Sequence, residues 1–243
     1  MCLIVRLAMR RVFRRLFDSR LKVGYIGGHF CGNLGDEIMY KCFCDFVQPA
    51  ALETLESPGV EELLSKFGLS GPAYFHRYIF GGGTLINPIW RGKVDRLSQM
   101  NVPIVSIGTG VGSCGKEQAD DIVFEDWKPV LERFDSIHLR GDRSCKKLQD
   151  LGLSETAVCG DVALSLYQEL ELDLGAKRVA INVLRDSATE AQVADIIRRV
   201  IPLLRSHGYS IDAWILNEED VAFTEEVFGE HIDRLLVLRT HDD

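Results

Sequence analysis

No stretch of this 243-residue chain is long and apolar enough to be expected to cross a bilayer. Near the start, Leu3-Ile4-Val5 and Leu7-Ala8-Met9 are interrupted by Arg6 and Arg10, far short of the roughly 18 apolar residues a span requires. No small-residue cleavage pattern follows an apolar core, so a secretory signal is not expected either. The seven cysteines (Cys2, Cys31, Cys42, Cys44, Cys114, Cys145, Cys159) contain no C-x-x-C pair. Their odd number and scatter argue against a zinc site or a disulfide framework and for reduced thiols in a cytoplasmic protein. Cys42 and Cys44 could reach a metal only with ligands from elsewhere, and no metal is expected. There is no internal repeat and no low-complexity tract. Hydrophobic residues make up 46% of the chain, enough for a sizeable core, which excludes wholesale disorder.

Basic residues are scarce overall. The net charge of -8 argues against a general nucleic-acid binder, which needs clustered Lys and Arg to neutralise phosphates. The exception is the start of the chain. Residues 1–22 hold Arg6, Arg10, Arg11, Arg14, Arg15, Arg20 and Lys22 against the single acid Asp18, a local +6 that leaves -14 for the remainder. Met9, Val12, Phe13, Leu16 and Phe17 recur at the spacing of one helix face. Residues 1–20 therefore read as a basic amphipathic leader, suited either to peripheral contact with an anionic membrane at its cytoplasmic face or to packing on the protein body.

From residue 21 onward, short β-like runs alternate with longer helical patterns. Strands are expected over 22–26, 77–80, 102–107, 136–139, 156–159, 178–183, 211–216 and 235–238. Helices are expected over 36–47, 90–99, 117–134, 143–151, 189–207 and 218–228. This order implies βαβ units around a mostly parallel sheet, an α/β fold of Rossmann type. An acidic stretch with a glycine at 168–177 marks a seam. A first domain is expected over 21–168, and a second α/β domain over 177–243, with room for only three strands and two helices, and so incomplete.

In such sheets ligands bind beyond the carboxyl ends of strands, where loops run into helix N-termini. Three glycine clusters fall at those positions: the run from Gly24 to Glu37, Gly81-Gly82-Gly83-Thr84, and Gly108-Thr109-Gly110-Val111-Gly112. None is a G-x-G-x-x-G fingerprint or a P-loop, so dinucleotide or ATP binding gains little support. In the first cluster, Asn33 or Asp36 is the expected helix cap.

Taken in order, Gly32-Asn33-Leu34-Gly35-Asp36-Glu37, Gly81-Gly82-Gly83-Thr84-Leu85, Gly108-Thr109-Gly110-Val111-Gly112, Leu139-Arg140-Gly141-Asp142-Arg143-Ser144 with Leu148 and Leu151-Gly152, and Cys159-Gly160-Asp161-Val162-Ala163 resemble the polysaccharide pyruvyl transferase family over about residues 22–166. Two departures stand out. Asp161-Val162-Ala163 replaces the Asp-Pro-Ala common in the family, and the Arg-x-His segment usual in the family's second domain has no counterpart except Arg239-Thr240-His241 at the very end. The resemblance implies a GT-B-like fold and transfer of a pyruvyl group from phosphoenolpyruvate, without a cofactor, onto a sugar of a cell-surface polysaccharide or its lipid-linked precursor. Two other functions stay open: a non-catalytic glycan- or anion-binding remnant, and a GT-B-type nucleotide-sugar glycosyltransferase.

Ketal formation calls for a general acid, a general base, and donors around phosphate and carboxylate. Asp36, Glu37 and His29 are the expected acid/base candidates, with helix capping the competing role for the two acids. Asn33, Gly35, Gly81, Gly82, Gly83, Thr84, Gly108, Gly110, Gly112, Arg140 and Arg143 are the expected substrate-binding residues. Arg140 is equally suited to a structural ion pair with Asp142 or Asp161. Asp142 or Ser144 is expected to cap the helix that follows, and Asn87, Trp90 and Arg91 to offer a sugar-stacking ring and polar contacts.

Overall fold

The computed structural model describes residues 18–29, 32–55, 64, 66, 68–71, 74–112, 124–166, 177–185 and 189–238. Residues 1–17 of the basic leader, nearly all of the 168–177 seam, the start of the helix expected over 117–134 and Arg239-Thr240-His241 lie outside the described residues. The chain divides into two compact units, one of Met1–Gly28 and Met39–Ser165, the other of His29–Ile38 and Leu166–Asp243.

The first unit is built on a parallel sheet of β1 (Lys22–Ile26), β2 (Ala51–Thr54), β3 (Arg77–Gly81), β4 (Ile104–Thr109), β5 (Ser136–Leu139) and β6 (Thr156–Val158). The strand order is β2-β1-β3-β4-β5-β6, so the chain reverses its direction of travel between β1 and β3, the switch point of a Rossmann-like sheet. Register is continuous across the middle: Tyr25 pairs with Ile79, and Ile79 with Val105. Tyr78-Ile79-Phe80 is apolar without alternation because both faces of a parallel sheet are covered. On one face Phe80 packs with Ile26, Ile104, Leu139 and Trp127, its ring 6.1 Å from that of Trp127. On the other, Tyr25, Leu52 and Ile79 surround Phe43.

Two helices of this unit, and a third that belongs to it from Met39 onward, follow from local sequence. In α1 (Leu34–Phe46), Met39, Cys42 and Phe43 form the buried stripe. In α2 (Pro88–Ser98), proline stands at the start, where its missing N–H costs nothing. In α4 (Asp142–Asp150), Cys145 and Leu148 are buried and the remainder is polar. Between α2 and α4, the described part of the expected 117–134 helix is a 3-10 turn at Glu125–Trp127 followed by the one-turn α3 (Lys128–Leu131). The break has a physical cause, since Pro129 cannot donate to the preceding turn and marks a helix start rather than an interior. Strand β2 is not among the strands expected from the sequence, because Ala-Leu-Glu-Thr is short and carries a charge. Its Glu53 is buried and accepts a hydrogen bond from the Tyr74 hydroxyl at 2.9 Å.

The second unit carries a parallel sheet of β7 (Arg178–Ile181), β8 (Ser210–Ile215) and β9 (Arg234–Val237), in the order β7-β8-β9. Two helices, α5 (Glu190–Ser206) and α6 (Val221–Phe228), supply Ile197, Ile201, Phe223, Val227 and Phe228 to a core with Ile211 and Ala213. On the sheet's other face Asp212 is buried and held by the Arg234 fork, while Trp214 is exposed. The segment 29–38 belongs here through backbone bonds. Leu34 N–H donates to Leu216 C=O at 2.8 Å, and Glu218 N–H to Gly32 C=O at 3.1 Å. Its neighbours are thus the residues just past the carboxyl end of β8. Among the described residues no helix is long and apolar enough to cross a membrane.

Candidate active site

At the carboxyl edge of the first sheet, the loops after β3, β4, β5 and β6 meet. The triple glycine is needed there for two different reasons. A side chain on Gly81 would lie 2.7 Å from the Ile107 carbonyl oxygen and 2.5 Å from the Phe43 ring, so the backbones can approach only without one. Gly82 has φ of 74° and Gly83 of 59°, conformations that side chains with Cβ resist. The close approach lets the β3 and β4 loops interlock. Gly110 N–H donates to Gly83 C=O at 2.9 Å, Ile86 N–H to Gly110 C=O at 3.1 Å, and Gly112 N–H to Ile86 C=O at 3.3 Å. Leu85 N–H donates to the Thr109 hydroxyl, Gly82 N–H to Ile107 C=O, and Gly83 N–H meets the Met39 sulfur.

These N–H groups are occupied by the protein. The cation at this edge is a side chain. Arg140 follows β5, its N–H tied to Thr109 C=O at 2.9 Å. One arm of its guanidinium reaches Asp161 Oδ2 at 3.4 Å and the other Thr84 Oγ1 at 3.4 Å. Loops from three strands therefore converge on one cation, whose side chain is about a third exposed, at 35%. Of the two acids expected as its partner, Asp161 is the one in place, and Asp161 is itself fixed by Ala163 N–H at 2.9 Å. Both arginine contacts are long for charge-assisted hydrogen bonds, which run nearer 2.7–2.9 Å, so the fork is oriented without being saturated.

Other expectations are corrected at this edge. Neither Asp142 nor Ser144 caps α4: Gly141 occupies the cap position without a side-chain bond, and the Ser144 hydroxyl accepts from Val111 N–H at 3.0 Å, pinning the β4 loop. Arg143 is exposed in the first turn of α4. Asn87 is fully buried and spent on structure. Its Oδ1 accepts from Ile89 and Trp90 N–H, and its Nδ2 donates to Thr84 C=O at 2.6 Å, which leaves it unsuited to a substrate contact. Trp90 packs partly against the core beneath Lys93, and Arg91 reaches Asp126 C=O.

The remaining candidates lie in the second unit. Asn33 is the helix cap, its Oδ1 accepting from Gly35 N–H at 2.9 Å and Asp36 N–H at 3.4 Å. Asp36 and Glu37 stand in the first turn of α1, where carboxylates favour the positive end of the helix. His29 Nδ1 lies 3.2 Å from Glu37 Oε2, with both side chains largely buried. That pairing has no signature in the sequence, because a loop separates the two residues and only the backward turn of the chain joins them. Among the described residues no group of three His, Cys, Asp or Glu side chains could hold a metal.

The six-stranded parallel sheet, flanked by helices, defines an α/β protein of Rossmann-like class, with a partly exposed arginine among its strand-end loops. The model of the family described as polysaccharide pyruvyl transferase matches residues 33–232. The chain belongs to that family, and is a transferase of polysaccharide modification. The match runs far beyond residue 166, into the part of the chain where no family motif is legible by eye. No curated protein matches the chain in sequence. Among solved structures, one described as "XylFII molecule" is similar at 11% identity over 91% of this chain and 98% of that one, with a TM-score of 0.27, too low to bear on the fold.

Proposed function

We propose that this transferase moves the pyruvyl group of phosphoenolpyruvate onto two hydroxyls of one sugar, in a cell-surface polysaccharide or its lipid-linked precursor. The observation that carries the reading is the Arg140 guanidinium, oriented by Thr84 and Asp161 at the carboxyl edge of the first sheet in a chain of this family. A planar fork suits a carboxylate or a phosphate, and phosphoenolpyruvate carries both. The two parallel sheets in one chain support a GT-B-like organisation.

The reaction needs no cofactor. A proton added to the methylene carbon makes it a methyl group and leaves a cationic carbon beside it, to which the first sugar hydroxyl adds. Phosphate then departs with the electron pair of its C–O bond, and the second hydroxyl closes the ketal. Of the two hydroxyl protons released, one balances the proton spent at the methylene and the other leaves with phosphate. In the second unit His29 and Glu37, where the carboxylate orients the ring, are a pair chemically able to move a proton, with Asp36 beside them in sequence. Arg140 stabilises the charge on the departing phosphate or holds the carboxylate.

Incubating the chain with phosphoenolpyruvate and a panel of glycans tests this by phosphate release together with an acid-labile mass gain on the glycan. Arg140→Ala lowers kcat/KM by about ten- to a hundredfold, the worth of a charged hydrogen-bonded pair at roughly 1.5–3 kcal/mol. Arg140→Lys keeps the charge without the fork and recovers only part of it. A folded chain that turns over a nucleotide sugar and not phosphoenolpyruvate would overturn the proposal.

A further inference from the structure

The two members of the Arg140–Asp161 pair are held very differently. Asp161 is fixed from its own side. Its Oδ1 accepts from Ala163 N–H at 2.9 Å and its carbonyl from Leu164 N–H at 3.0 Å, just ahead of the 3-10 turn Val162–Leu166. Two residues before it, Cys159 N–H donates to Leu139 C=O at 2.9 Å. Gly160 between them has φ of 86°, a left-handed turn that glycine accepts without strain. These bonds hold the carboxylate in place whether or not the arginine stays beside it.

The Arg140 side chain is held by two contacts of 3.4 Å, to Asp161 Oδ2 and to Thr84 Oγ1. Charge-assisted hydrogen bonds of full strength run near 2.7–2.9 Å. With the two side chains of the ion pair 35% and 30% exposed, water also screens it. Of the two groups, the arginine is therefore the one free to move, and water can solvate the Oδ2 it leaves.

An anion arriving at Arg140 meets a cation that already has a counter-charge. It must draw the guanidinium away from Asp161, or share it with a carboxylate that cannot retreat and that repels every negative charge the ligand carries. When the anion departs, the same carboxylate takes the guanidinium back, so no bare cation is left behind.

We propose that Asp161 is a specificity-determining residue of this transferase, an internal counter-anion that competes with the substrate anion for Arg140, keeps anion affinity low and favours release of phosphate. This rests on the reading that Arg140 holds phosphoenolpyruvate. It differs in sign from a role in orienting Arg140 for the ligand: an orienting residue strengthens ligand binding, and a competitor weakens it.

Isothermal titration calorimetry of phosphoenolpyruvate and of inorganic phosphate against the parent chain, Asp161→Asn and Arg140→Ala separates the two. Asparagine retains an oxygen for Ala163 N–H, and circular dichroism checks that each variant is folded. Asp161→Asn is expected to tighten phosphoenolpyruvate about two- to fivefold, the range an exposed ion pair spans, and to tighten inorganic phosphate likewise. Asp161→Ser, also without the charge, gives the same sign, whereas Asp161→Glu keeps the charge and gives no gain. The gain disappears when Arg140→Ala is the background. The proposal is overturned if the uncharged variants bind phosphoenolpyruvate no tighter than the parent, if the gain persists without Arg140, or if both uncharged variants fail to fold, which would make Asp161 a structural residue. If Arg140→Ala binds phosphoenolpyruvate as well as the parent does, the reading of Arg140 falls and the proposal with it. If Arg140→Ala weakens binding and Asp161→Asn does not tighten it, the reading stands and the proposal alone falls.

Discussion

Replacing glycine with alanine at two positions of the first unit gives opposite results for reasons visible in the geometry. At Gly81 the new methyl carbon would sit 2.5 Å from Phe43 Cζ and 2.7 Å from the Ile107 carbonyl oxygen. Neither neighbour can yield cheaply. The Phe43 ring is 1% exposed and packed against Tyr25 at 5.5 Å, and the Ile107 carbonyl accepts from Gly82 N–H at 3.3 Å. Overpacking of this kind costs about 1–3 kcal/mol, and losing the Gly82 bond adds about 1 kcal/mol, so Gly81→Ala is expected to destabilise by roughly 2–4 kcal/mol. Gly92 lies inside α2, where an added methyl group would meet nothing within 4 Å and φ is not positive. There alanine removes the helix penalty of glycine and stabilises by about 0.5–1 kcal/mol. Urea titrations of the parent and both variants, followed by far-UV circular dichroism, read the two shifts in midpoint at common slope. If Gly81→Ala moves the midpoint no further than Gly92→Ala, or in the same direction, the close-approach account of the triple glycine is wrong.

Other outcomes follow from side chains already described. Asn87→Ala removes an acceptor for two helix N–H groups and a donor to Thr84 C=O, all part-buried, and is expected to cost about 1–3 kcal/mol by the same titration. Asn87→Asp restores the acceptor and recovers less than the whole, because the Thr84 carbonyl loses its donor. In the second unit, Asp212 is held below its ordinary value by the Arg234 guanidinium, and Asp233 by the Ile211 N–H and then Arg205. A depressed carboxylate contributes stability that is complete above its unfolded value and lost as pH falls through the folded one. Stability of the parent therefore drops below about pH 4, and Asp212→Asn flattens that decline in an acid titration followed by tryptophan fluorescence. An unchanged acid limb in the variant rules out this pair as a contributor.

The alternation of β-like and helical runs was readable because it reflects burial. Apolar Tyr78-Ile79-Phe80 had to be covered on both faces, and the glycines after it had to end the strand. Strand β2 escaped because its core position depends on partners far away in sequence, Glu53 being tolerable only once the Tyr74 hydroxyl reaches it. The site was legible as positions but not as roles. Glycine runs announce close backbone approach without saying what approaches, and at Gly81 it is the Ile107 backbone of the neighbouring strand. The Arg140–Asp161 pair was open to reading because both residues follow strands. The Ser144 contact with Val111 and the His29–Glu37 pair were not, since each depends on where a loop turns back. Asn87 misled because a helix cap and a sugar-binding amide have the same letter.

The outer strands of both sheets are short: β2 has four residues, β6 three, and β7 and β9 four each. Each presents few backbone groups to template an added strand, and β7 and β9 both begin with a charged residue, as protected edges do. Extension of either sheet by another copy of the chain is thereby disfavoured, and the protein can be concentrated at its place of work without its edges seeding aggregation.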